Sequence, residues 1–118
     1  MTENTRPPGK TTVAPDVLVD IARMAALKVA GVNAMAPVTG GVNRLFGRGI
    51  SDGVRIKLEE DVVFADIYII LDNGINIRDT SRNVQQSVNR AITEMVGMDV
   101  GEVNIHIENI AYEDEEEA

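Results

Sequence analysis

The sequence predicts an α+β fold: a two-layer sandwich in which two helices pack on a small sheet of three or four strands, in the order (β)αββαβ. Three observations carry that prediction. Residues 15–30 and 76–96 repeat apolar side chains at helical spacing, and 54–59, 62–71 and 103–107 read as strands. Turn signals stand between them: Gly31, Glu60-Asp61, Asp72-Asn73-Gly74 and Gly97. At 118 residues the chain fits one domain, expected over 11–112, with a disordered polar arm at 1–10 and an acidic, disordered tail at 113–118. Ferredoxin-like and K-homology-like arrangements both satisfy the pattern, because strand order is not legible.

The elements follow in order. Thr11, Thr12 and Val13 suit a short first strand. Pro15 and Asp16 then open a helix, since proline fits the first turn and an acid answers the positive end of the helix dipole. Gly31 is its natural stop. This helix is apolar nearly all round, with only Asp16, Asp20, Arg23 and Lys28 charged. Two readings fit: a helix packed between the sheet and the second helix, or one with an extra face for a partner. Residues 36–53 hold six glycine and proline residues and form a long loop carrying Arg44 and Arg48. Val54, Ile56 and Leu58 alternate with Arg55, Lys57 and Glu59, a half-buried strand. Glu60-Asp61 turns it into a second strand, apolar on both faces: Val63, Ala65, Ile67, Ile69 and Leu71 against Val62, Phe64, Tyr68 and Ile70. In the second helix, Ile77, Val84, Val88, Ala91, Ile92 and Met95 form one core-facing stripe. The opposite face holds Arg78, Arg82 and Arg90. Val103, Ile105 and Ile107 make the last strand.

Composition excludes several classes. There is no cysteine, so no disulfide and no thiolate metal site. No apolar run reaches membrane-spanning length and no signal peptide is visible, which points to a cytoplasmic chain. The net charge is −8, and five acids stand together at 113–117, so the body is near −3. That balance argues against nucleic acid as a partner, since phosphate contacts need positive potential.

Catalytic groups are few. His106 is the single histidine and sits among alternating strand residues. No zinc-helix, calcium-loop or phosphate-loop spacing occurs. Glu59, Glu60 and Asp61 fit a hairpin turn. No small-molecule substrate, cofactor, metal or enzymatic activity is expected. The two-sided strand, with Phe64, Tyr68 and Ile70, and the all-round apolar helix, with Val19, Ala22 and Ala26, are candidate self-association surfaces. Arg78, Arg82 and Arg90, with Arg44 and Arg48, are candidates for an acidic or anionic partner. The alternative is an RNA-binding module on a K-homology-like sheet; the GxxG loop between two helices that such a module needs is absent.

Several strings carry a resemblance. They are Val17–Ala26 leading to Gly31-Val32, Gly53-Val54, Ile67–Ile77, Val84–Val88, Ala91-Ile92, Met95-Val96-Gly97 and Val103–Ile107. Together the chain resembles the alkaline shock protein (Gls-type) family of bacterial envelope stress proteins over about residues 12–110. The resemblance implies a cytoplasmic, non-enzymatic stress-response protein without cofactor. It also implies self-association into a homo-oligomer and recruitment to the membrane through a separate anchor protein.

Overall fold

The chain folds in the order α1 (Pro15–Leu27), β1 (Val32–Met35), β2 (Ile50–Ser51), β3 (Val54–Glu59), β4 (Val62–Asp72), α2 (Ile77–Val96) and β5 (Asp99–Ala111). The structure is a computed structural model that describes residues 12–37, 50–51 and 53–112. The expectations placed on the arm, on Arg44 and Arg48, and on the acidic tail lie outside those residues. Among the described residues, two helices cover one face of a five-stranded sheet: the expected α+β two-layer sandwich, with more strands than the three or four expected because Val32–Met35 and Ile50–Ser51 also join it. Thr12 and Val13 do not form a strand; Val13 packs on the core where the chain enters α1.

Strand β4 is the centre of the sheet. Along one edge it pairs antiparallel with β3 over Val62–Ile67 and then with β1 over Ile69–Leu71. Along the other edge it pairs parallel with β5 over its whole length. Parallel neighbours need a crossover, and α2 supplies it. β2 extends the sheet beyond β3. The mixed sheet therefore comes from the two connections of β4, a tight hairpin before it and a helix after it.

Local chemistry sets the element ends. Asn76 caps α2, its Oδ1 accepting the Asp79 N–H at 2.9 Å, and Gly97 closes the helix at φ 77°. α1 ends at Leu27, before the expected stop. Gly31, at φ 99°, then turns the chain into β1, and its carbonyl accepts the Asp72 N–H at 2.8 Å. The β3–β4 hairpin turns on Glu60 and Asp61, both at positive φ (52° and 69°). Two-residue hairpin turns that match strand twist require this, and L side chains disfavour it.

The core lies between the helices and one face of the sheet. Val63, Ala65, Ile67, Ile69 and Leu71 point into it from β4. Val54 and Ile56 join them from β3, and Val84, Val88 and Ile92 from α2. α1 adds Leu18, Val19, Ala22, Ala25 and Ala26. The alanines keep α1 close to α2, and Ser87 Oγ donates to the Ala25 carbonyl at 2.8 Å across the helix pair. The expected α2 stripe holds at its centre and fails at its ends. Ile77 and Met95 are 48% and 67% exposed, because the buried row steps every fourth residue along Thr80, Val84, Val88 and Ile92 and leaves both to one side. Thr80 is buried instead, with its side chain over Gly31.

Gly53 bridges β3 and β1. Tyr68 falls between the two pairings, where its N–H donates to the Gly53 carbonyl at 2.7 Å and its carbonyl accepts the Ala36 N–H at 2.9 Å. A Cβ on Gly53 would lie 2.7 Å from Met35 Cβ and 2.9 Å from the Tyr68 carbonyl, at φ 78°. Gly53→Ala should therefore cost about 2–4 kcal/mol, combining positive-φ strain with overlap. Urea unfolding checks it: a loss below about 1 kcal/mol would mean the crossing is not tight. The double change Glu60→Asn, Asp61→Gly should act in the other direction, adding about 1 kcal/mol and raising Tm by several degrees.

Candidate functional site

Two surfaces are left once the core is closed. The first is the outer face of the sheet. Side chains alternate along β4, so burying Val63 to Leu71 under the helices turns Val62, Phe64, Asp66, Tyr68 and Ile70 outward. Strand register sets Arg55 beside Asp66 and Lys57 beside Phe64 on one side. On the other it sets Glu102, Asn104 and His106 beside Phe64, Asp66 and Tyr68. Both helices lie on the opposite face.

The centre of this face is polar and its ends are apolar. His106 Nε2 stands 3.1 Å from Asp66 Oδ1, and Asn104 Nδ2 donates to the same oxygen at 3.3 Å. The His106 ring stacks on Tyr68 with centroids 4.4 Å apart and planes 12° from parallel. That stack helps to leave Tyr68 only 9% exposed. Phe64 lies against Gly101, where a Cβ would come within 2.6 Å of the ring. Phe64 and Ile70 are half-buried. Arg55 Nε is buried without a hydrogen-bond partner among the described residues. His106 is thus a strand histidine satisfied by a carboxylate. The Ser87 hydroxyl, engaged with Ala25, and Thr80 belong to the helix layer, on the other side of the sheet from His106. Among the described residues, no group of three or more metal-ligating side chains gathers.

The second surface is the outer face of α2. Arg78, Arg82 and Arg90 are exposed there, with the neutral Gln85, Gln86 and Asn89 between them. Gln85 Nε2 donates to the Val103 carbonyl at 3.1 Å, tying this face to β5. Shallow depressions lined by Arg78, Ser81 and Arg82 and by Gln86, Asn89 and Arg90 run along it.

The expected self-association residues divide. Phe64, Tyr68 and Ile70 share the outer sheet face. Val19, Ala22 and Ala26 do not belong to any surface: they are 2%, 0% and 0% exposed, inside the core of a single chain. Of the two readings of the first helix, packing between sheet and second helix accounts for these residues. What α1 offers to solvent is Val17, Met24 and Leu27. A wide apolar arc, read from spacing alone, does not distinguish its buried half from its exposed half.

Among the described residues, the geometry defines a two-layer α+β domain with a partly aromatic sheet face that carries neither helix and a helix face that bears three arginines. Known proteins agree with that class. A family model of alkaline shock proteins, described as having a cell envelope-related function, matches residues 3–112, and the chain belongs to this family. It is 32% identical over 107 residues to the uncharacterized protein YqhY of Bacillus subtilis, covering 89% of this chain and 79% of that protein. It is also 32% identical over 108 residues to the uncharacterized protein Spy1535 of Streptococcus pyogenes, covering 89% and 81%. Among solved structures, a MamM CTD variant superposes with a TM-score of 0.50 at 15% identity, over 80% of this chain and 94% of that one. At that identity the likeness is one of fold. Among the described residues, no helix is long and apolar enough to cross a membrane.

The placement of α1 is open to a direct check. Ala22→Asp should leave little or no folded protein, because an unpaired carboxylate would be forced into the core. Met24→Asp, on the exposed side, should stay within about 0.5 kcal/mol of the parent. Circular dichroism melting reads both; a cooperatively folded Ala22→Asp chain would put that side chain at a surface after all.

Proposed function

We propose that this chain is a non-enzymatic scaffold or partner-binding module of the bacterial cell-envelope stress response, working by self-association through the outer face of its sheet. The observation that carries this is the half-buried Phe64 and Ile70 beside Tyr68 on a sheet face opposite both helices. Aromatic and aliphatic groups on an open face lose water when a second copy covers them, and such patches usually mark interfaces. The central Asp66, Asn104 and His106 would set orientation, since a polar centre discriminates between registers more than it adds affinity. Membership of an envelope-related family supports the setting, and recruitment to the membrane through an anchor protein fits a chain that acts by contact. An RNA-binding reading has less support: α1 leads into a strand, so among the described residues no GxxG loop joins two helices.

Light scattering across concentration tests the proposal. The chain should show a concentration-dependent rise in mass below about 500 μM. Phe64→Ala should weaken that self-association by about 2 kcal/mol, roughly thirtyfold, if Phe64 is a central contact. A strict monomer at high micromolar concentration, or self-association indifferent to Phe64→Asp with Ile70→Asp, would overturn it.

A further inference from the structure

The outer face of α2 carries positive charge that the helix does not answer. Arg78, Arg82 and Arg90 are exposed, and they share that face with amides, hydroxyls and one acid, Asp79. Two acids lie on the same helix, Asp79 in its first turn and Glu94 in its last. Among the described residues, neither forms an ion pair with any of the three arginines. Core packing makes no demand for arginine here, since the buried stripe of Val84, Val88 and Ile92 lies on the other side of the helix. In a chain of net charge −8, three arginines on one face without an ion pair among the described residues are the exception.

The same chain contains a matching anion. Glu113, Asp114, Glu115, Glu116 and Glu117 are consecutive. Extended, five residues span about 16 Å, and the twelve-residue rise from Arg78 to Arg90 is about 18 Å. We propose that the acidic segment Glu113–Glu117 of one copy lies along Arg78, Arg82 and Arg90 of a second copy. The proposal rests on the self-association reading and adds to it a contact distinct from the sheet face.

The topology favours a second copy over the chain's own segment. Ala111, the last residue of β5, is in register with Asp72, just before α2 begins. β5 therefore runs out of the sheet at the Arg78 end of the helix, heading away from Arg90. To lie on its own α2, the segment must reverse direction, which uses Tyr112 and one or two of the acids. The three or four acids left span about 10–13 Å, enough for Arg78 and Arg82 but short of Arg90. A segment from another copy has no such limit. Such a contact is either exchanged reciprocally within a pair or repeated from copy to copy, and both raise the average mass. Because the groups are exposed, attraction should fade as salt shortens the Debye length.

The probe is a fluorescent peptide of residues 112–118, titrated with the full chain in about 20 mM salt and again in about 500 mM. Saturable binding at low salt, lost at high salt, is expected. Arg78→Ala, Arg82→Ala and Arg90→Ala together should weaken it at least about tenfold, with an unchanged melting curve. Arg90→Ala alone should weaken it about threefold, which an interaction confined to Arg78 and Arg82 would not show. A full chain with all five acids changed to amides should have a lower average mass by light scattering at low salt. The proposal is overturned if the triple variant binds the peptide as well as the parent does. It is also overturned if the chain ignores the peptide and instead binds phosphatidylglycerol vesicles through these arginines. If the peptide fails to bind while Phe64→Asp still lowers the mass, this contact is wrong and the sheet-face reading stands. A parent that is monomeric throughout sinks the sheet-face reading itself.

Discussion

Strand β4 is hydrogen-bonded along both edges and carries apolar side chains on both faces, and the placement of the other elements follows from its edges and its inner face. One edge takes β5 for the full eleven residues of β4. The other is shared end to end by β3 and β1, and the break between them falls at Tyr68. There the backbone stays satisfied, because Gly53 and Ala36 supply the acceptor and donor that neither strand provides. Glycine at 53 lets two chain segments meet where a side chain would separate them.

Cover for the inner face decides the helices. Five apolar β4 side chains alternate onto that face, and each fully buried aliphatic contributes roughly 1.5–3 kcal/mol. Two helices are needed for that area, and they fit side by side because α1 presents alanine at 22, 25 and 26. Close approach also brings Ser87 within reach of the Ala25 carbonyl, so a polar group in the helix seam is satisfied. The outer face then inherits the remaining β4 side chains, three of them large and apolar. An apolar outer patch is thus a by-product of the strand that builds the core.

Chemistry on the outer face is that of orientation. Asp66 receives Asn104 and stands against His106, which in turn stacks on Tyr68, so four side chains from two strands hold one another in place. The α2 face has the opposite character, with long cations separated by neutral amides. One surface is partly apolar around a polar centre; the other is lined by cations.

How much of this was legible depends on the range of the interactions involved. The two helices, the hairpin and the last strand were written in periodicity and in local signals such as Glu60-Asp61, Asp72-Asn73-Gly74 and Gly97, because turns and helix stops depend on residues a few positions apart. The outward set Phe64, Tyr68 and Ile70 followed from strand alternation for the same reason. The arginine face followed from helical spacing around the Val84–Ile92 stripe. The parallel seating of β5, the tandem sharing of a β4 edge by β3 and β1, and the stack of His106 on Tyr68 were not legible. Each joins residues about 30 or more positions apart, through backbone hydrogen bonds and contacts that any apolar strand could have formed elsewhere. α1 shows the limit most plainly: its apolar residues cover most of the helix, so sequence alone determined that it is largely buried. Only packing against α2 and β4 decided that Val19, Ala22 and Ala26 lie inside while Val17, Met24 and Leu27 face water, since the direction of burial belongs to the neighbours and not to the helix.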